Sequence, residues 1–253
     1  MALIVDKKDK VATVTIDRPP VNAITLAIYE EIAETFEAAA GWADINCIVF
    51  TAVGSKAFCA GLDLNEFLAA KVEDDPARAK IIRRCFSAVR QAAVPVIGAI
   101  NGPALGAGCV LASVCDVRIA AENATFGMPE INVGRCGGAA HMARHLPQGL
   151  LRKMYFTGRP IDAREAWRIG FVQDVVPFDD LSRTAQELAT LIGSKAPIGL
   201  RMAKEALNKV EFMQTEEGYE LEQGYSTKLM ATEDAREATR AVVEKRAPVW
   251  VGR

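Results

Sequence analysis

Histidine is scarce in this chain, with His141 and His145 the only two, and the six cysteines (Cys47, Cys59, Cys85, Cys109, Cys115, Cys136) include no CxxC pair. Those shortages argue against a clustered His/Cys metal site and against a disulfide framework, and they point to reduced thiols in a cytoplasmic protein. No apolar run approaches the roughly 20 residues that cross a bilayer. The opening MALIVDKKDK reaches charged residues within six positions, which leaves no room for a signal-peptide core. Neither sign of charge dominates, since 30 Lys+Arg face 32 Asp+Glu for a net charge of -2. A global basic footprint for nucleic acid or an anionic membrane is therefore missing. Also missing are GxxxxGK[ST], GxSxG and a GxGxxG following a strand, which removes the best support for nucleotide hydrolysis, serine-hydrolase chemistry and dinucleotide binding.

What is present suits a globular protein. Half of the 253 residues are hydrophobic and 25% are charged, enough for one large domain or a domain with an appendage. Leu3–Asp6 and Val11–Ile16 alternate as strands around KKDK, a hairpin signature. From Thr25 the period changes: Leu26, Tyr29, Ile32, Ala33, Phe36 and Ala40 recur at helical spacing up to Gly41. Ile45–Val53 reads as a buried strand, Asp75-Pro76 as a helix start, Val94–Gly102 and Val117–Ala121 as further strands, with a helix from Gly106 to Val114. After Gly138 helices dominate, interrupted by a strand over Phe171–Val176. This order predicts an α/β core over residues 1–190 and a helical region over 191–253 that docks on the core or on a neighbouring subunit.

Two glycine-containing loops follow strands, FCAGLDL (Phe58–Leu64) and NGPALGAGC (Asn101–Cys109). The second opens a helix at Gly106, where free N–H groups and the helix dipole favour an anion. Paired with an N–H of the first loop it makes a two-donor hole for an oxygen that gains charge during reaction. The alternative is a pair of plain tight turns. His141 and His145 sit at i, i+4 in HMARH, but the metalloprotease pattern needs a Glu between them and a third ligand.

The strings KAFCAGLDL, AINGPALGAGCVLASVCDVRIA, ATFGMPEINVG and EKRAPVWVGR, in this order and with DRPPVNAI (Asp17–Ile24) ahead of them, resemble the crotonase superfamily, the enoyl-CoA hydratase/isomerase family. The resemblance spans nearly the whole chain. It implies an α/β fold, a crotonase-like spiral of ββα units with a helical C-terminal trimerisation region, assembling as a homotrimer or dimer of trimers. It implies an acyl-CoA thioester substrate, with coenzyme A part of that substrate and no separate cofactor or metal, and no nucleic-acid or membrane partner. Matched residue by residue, the thioester oxygen falls to the N–H groups of Ala60 and Ala107. The coenzyme A contacts fall on Asn22-Ala23, Lys56, Phe58, Gly61, Leu62, Asp63, Leu64 and Gly106.

Hydratases of the family use two glutamates. The later matches Glu130 in MPEINVG, whereas the earlier falls on Val110, which moves no proton. Adding water needs a water held at the β carbon and a proton at the α carbon, a task two carboxylates share. Shifting a double bond needs one base and a hole for the dienolate. Val110 therefore favours isomerase-like or atypical hydratase chemistry. A thioester hydrolase or C–C lyase of the same family, or a non-catalytic CoA-binding scaffold, remains as an alternative. VGRCGGAAHMARHLP replaces the family's usual Pro-Gly-rich stretch, so Arg135 becomes a candidate holder of an acyl carboxylate and His141 a candidate second acid/base. For each the alternative is a surface or helix-capping role.

Overall fold

A computed structural model describes residues 2–253. Its strands are β1 Leu3–Lys8, β2 Val11–Ile16, β3 Cys47–Ala52, β4 Val96–Ile100, β5 Ala104–Leu105, β6 Val117–Ala121, β7 Thr125–Gly127, β8 Ile161–Asp162 and β9 Asp174–Val176. Its helices are α1 Leu26–Ala38, α2 Leu64–Ala69, α3 Asp75–Arg90, α4 Ala107–Ser113, α5 Ala139–Met142, α6 Gln148–Thr157, α7 Ala163–Arg168, α8 Leu181–Gly193, α9 Pro197–Val210, α10 Thr215–Met230 and α11 Glu233–Glu244.

Six strands form one sheet in the order β1-β2-β3-β4-β6-β9. Only β1 and β2 are antiparallel; the other pairs are parallel, which requires the helical crossovers that follow β2, β3, β4 and β6. Because side chains alternate across a strand, the sheet buries two sets. Val14, Phe50 and Ile100 share one core with Tyr29, Phe36, Phe86 and Val89 of α1 and α3. Cys47, Val49, Ile97, Ala99 and Ile119 point the other way, onto Leu181, Ala185 and Ala189 of α8. The expected hairpin, α/β alternation and helical C-terminal region are all present. Strands β2 and β6 and the start of α3 lie where the sequence puts them, and the other boundaries given above differ by a few residues. A small second sheet, β5-β7-β8, and the short helices α2 and α5 are additional.

The C-terminal helices are tied down by buried polar contacts. Lys204 of α9, almost wholly buried, places its ammonium 2.7 Å from Asp116 Oδ2 and 3.0 Å from the Val94 carbonyl. Asp116 also accepts the Val96 N–H, so one carboxylate joins α9 to the sheet. Among the described residues no helix is long and apolar enough to cross a membrane.

Candidate active site

The two glycine loops leave the carboxyl ends of β3 and β4, the edge where parallel sheets place their sites. Main-chain bonds lay them side by side: the Phe58 and Cys59 N–H groups donate to the Pro103 carbonyl, and the Leu105 N–H donates to Cys59. Asn101 Nδ2 donates to the Ala52 and Gly54 carbonyls, closing the same edge. The fit is tight enough to demand glycine at 108, where a Cβ would lie 2.2 Å from the Cys59 carbonyl oxygen.

Within the first loop the amides alternate in their use. Ala60 N–H donates to the Val21 carbonyl at 3.0 Å and Asp63 N–H to the Ile24 carbonyl at 2.9 Å, while Ile24 N–H donates to Gly61. Leu62, bridged to Ile24 between these bonds, has an N–H without an acceptor among the described residues. This corrects the expectation for Ala60, whose N–H is spent inside the fold. Across the gap Gly106 N–H donates to Gly127, and Ala107, the first residue of α4, has an N–H without an acceptor among the described residues. The two loops meet closely, since a Cβ on Gly61 would stand 3.8 Å from the Ala107 nitrogen. Leu62 and Ala107 thus form the pair of free donors.

Glu130 reaches the same place by a different route. It lies in the 3-10 turn Pro129–Val133, directly after β7, and β7 pairs with β5 beside the second loop. A Cβ on Gly106 would come within 2.8 Å of Glu130 Oε1, so the carboxylate rests against the residue preceding Ala107. Its other oxygen, Oε2, is buried without a hydrogen-bond partner. Burial pushes the Glu130 carboxyl above the ordinary carboxylate range. An unpaired acid with a raised affinity for protons, placed beside two free N–H donors, is equipped to move a proton next to an oxygen that takes on charge.

Val110 is buried on α4, and Gly138 closes over it: a Cβ there would meet Val110 Cγ2 at 2.6 Å and Met128 Cε at 2.8 Å. The Tyr155 hydroxyl donates to the Gly137 carbonyl at 2.7 Å and holds this loop inward. No second carboxylate stands at this position. His141 and His145 part company. His145 Nε2 meets the Ser113 carbonyl at 2.9 Å and packs on Phe171, and burial with Arg118 drives its pKa down to about 4. His141 lies edge-on to Phe86, 5.5 Å between ring centres, with burial and then Arg144 and Arg90 favouring its neutral form.

His141 lines a cavity of about 310 Å³ together with Tyr29, Leu62, Phe67, Phe86 and Gly138. Its charged lining comprises Glu66, Asp75, Arg78, Arg83 and Arg135. Arg135 pairs with Asp75 at 3.1 Å and lies over the Phe67 ring, so the residue expected to be available for a carboxylate is already engaged.

The remaining expected contacts divide. Phe58 is fully buried against Phe50, which corrects its assignment to coenzyme A: its ring belongs to the core. Asp63 has both oxygens occupied, accepting the Asn65 and Glu66 N–H groups as the cap of α2 and pairing with Arg18 at 2.6 Å. Arg18 in turn donates to the Ala23 carbonyl at 2.7 Å, so the Asp63 side chain shapes the loop rather than facing a ligand. Lys56 and Leu64 are exposed, Ala23 is half-buried, and Gly61 and Gly106 sit at the meeting of the loops. The pairing of Leu62 with Ile24 and Asn22 bridging to Val53 and Ala57 are features that sequence reasoning passed over. Among the described residues no group of three His, Cys, Asp or Glu side chains converges as a metal site.

A mostly parallel sheet thus carries, at its carboxyl edge, two loops with unbonded main-chain N–H groups beside one half-buried carboxylate, the layout of an α/β enzyme fold. Residues 6–253 match the family model described as enoyl-CoA hydratase/isomerase, and the chain belongs to that family of acyl-CoA enzymes. It is 37% identical over 238 residues to (7aS)-7a-methyl-1,5-dioxo-2,3,5,6,7,7a-hexahydro-1H-indene-carboxyl-CoA hydrolase of Mycobacterium tuberculosis, covering 93% of this chain and 95% of that protein. It is 37% identical over 259 residues to 2,3-dehydroadipyl-CoA hydratase of Escherichia coli, covering 99% of both. The crystal structure of enoyl-CoA hydratase from Bacillus anthracis superposes with a TM-score of 0.96 at 34% identity, covering 100% of each chain.

Proposed function

We propose that this chain polarises an acyl-CoA thioester between the Leu62 and Ala107 N–H groups and transfers a proton at the α carbon through Glu130. The observation that carries the reading is the Glu130 carboxylate, seated against Gly106 with one oxygen unpartnered. When Glu130 removes an α proton, the electron pair of the C–H bond moves to the thioester oxygen, where the two donors oppose the new charge; a preorganised donor of this kind is worth about 2.7–4 kcal/mol. For a 3-enoyl thioester the anion is a dienolate, and the same carboxyl returns the proton at the γ carbon to give the 2-enoyl isomer. That sequence needs one carboxylate, in keeping with Val110. The thioester passes the loop formed by Ala23, Gly61 and Leu62, with Lys56 on the outer surface.

A second reading, hydrolysis of a thioester or a C–C bond in the same hole, draws on the hydrolase relative and on Val110. Mass spectrometry of a 3-enoyl-CoA incubated in heavy water separates the two. The isomerase reading expects deuterium gain with the 2-enoyl product and a loss of about 10²–10⁴-fold on Glu130→Gln. Release of free CoA or of a cleaved chain favours hydrolysis, a mass gain of one water favours atypical hydration, and an undiminished Glu130→Gln rate sinks the proton-transfer role. For assembly, a homotrimer or dimer of trimers accounts for the exposed Phe212, Met230, Val242 and Val243 of the C-terminal region, and light scattering at a monomer mass overturns it.

A further inference from the structure

The cavity that contains Leu62 and His141 is not a plain hydrocarbon slot. Asp75, Arg78, Ala79, Ile82, Arg83 and Phe86 recur on α3 at helical i, i+3, i+4 spacing, so one stripe of one helix supplies a third of its lining. Buried Phe86 and Tyr29, ring centres 5.9 Å apart, make an apolar floor, and Phe67 adds a third ring. Charge is confined to the other part of the lining, and it is unbalanced. Glu66 is consumed twice, by the Leu26 N–H at 3.1 Å and by Arg78 at 3.3 Å. Asp75 is consumed by Arg135. Three guanidinium groups thus face two carboxylates. Arg83, three residues before Phe86 on the same face, takes part in no ion pair or side-chain hydrogen bond among the described residues.

We propose that Arg83 is a specificity residue that pairs with a carboxylate at the distal end of the acyl group, so that the preferred substrates are half-thioesters of dicarboxylic acids. The proposal rests on reading this cavity as the acyl site of the enzyme described above. An aromatic floor accepts the methylene chain, and a guanidinium fork at the exposed rim offers the bidentate geometry a carboxylate favours. His141 at the cavity wall has its pKa lowered by burial and then by Arg144 and Arg90, so it adds little positive charge beside the arginines.

The test uses two saturated thioesters of matched length, adipyl-CoA and hexanoyl-CoA, whose binding to the whole protein is measured by calorimetry without turnover. Adipyl-CoA is expected to bind about tenfold more tightly, and Arg83→Met to erase the difference while leaving hexanoyl-CoA unchanged. Arg135→Met, which removes an arginine already paired, is expected to retain most of the preference. Equal affinity in the unmodified protein overturns the proposal while leaving the acyl-CoA reading intact, as does a preference that survives Arg83→Met. Failure of both thioesters to bind overturns the acyl-CoA reading and this proposal together.

Discussion

Replacing Gly106 by alanine tests the geometry on which the chemistry depends. Gly106 has φ +54, a backbone state that L residues rarely adopt, and its added Cβ would stand 2.8 Å from Glu130 Oε1. To regain the 3.4 Å of ordinary contact the carboxylate must retreat by about 0.6 Å from its present seat against residue 106. The strained backbone costs about 1–3 kcal/mol, which lowers Tm by about 2–12 °C in a domain of this size. The displaced carboxylate costs more in rate than in stability, because a misplacement approaching 1 Å in a reacting group lowers rates by about 10²-fold. The assay is α-proton exchange of an acyl-CoA in heavy water, read beside thermal unfolding. Gly134→Ala supplies the control: its φ is +69, yet nothing lies within 4 Å of its Cβ position, so it carries strain without displacement. Gly106→Ala at the unmodified exchange rate, or Gly134→Ala losing as much, refutes the reasoning.

Other consequences follow from the same contacts. Burial raises the Glu130 pKa in the folded state, so the carboxyl's contribution to stability is complete below its unfolded pKa and is lost as pH rises through the folded value. Glu130→Gln is therefore expected to raise Tm near neutral pH and to leave it unchanged in acid, as calorimetry at the two conditions would register. Asp116→Ala strands the buried Lys204 ammonium and should destabilise by about 3–5 kcal/mol in a denaturant titration with unchanged slope. Burial pushes the Cys47, Cys59 and Cys115 thiols up to about 12 and Cys85 and Cys109 higher still, whereas Cys136 is exposed. A thiol reagent should then titrate one cysteine in the folded monomer and six after unfolding. Val110→Glu should lower Tm without conferring water addition, because Gly138 occupies the space a second carboxylate needs.

The fold was legible where periodicity runs long. Helices α1, α3 and α8 announce themselves because each buries one face and so forces a repeat, and strands β3 and β6 as short apolar runs buried on both sides. Helix α2 did not, since Leu64 and Leu68 are exposed and six residues are too few to establish a period. The two-residue strands β5 and β8 exist only through their pairing with β7. The site shows the same division. Glu130 and Ala107 could be picked as candidates from local strings, and the structure sets them at the same cleft, but which of the Ala60 and Leu62 amides stays free could not be read there. Successive amides of an extended loop point to opposite sides, and the side facing the cleft is set by pairing with Ile24, 38 residues from Leu62 in sequence. Phe58 was misassigned because a phenylalanine beside a glycine loop serves core and ligand equally well in a string. Arg135 and Arg83 could be ranked only once Asp75 was seen to occupy the former.

Both donors in the cleft belong to the main chain, and this separates two properties that a side-chain catalyst would bind together. The N–H of residue 62 or 107 persists through any substitution except proline, provided that the loop keeps its path. The residues that line the cavity proposed for the acyl group, among them Arg83, Phe67 and His141, lie on α3, α2 and α5, outside the strand-bound loops that aim those donors. Recognition can therefore drift through point mutation while the capacity to stabilise negative charge on oxygen stays fixed, a division that lets one chassis be retuned to new thioesters without being rebuilt.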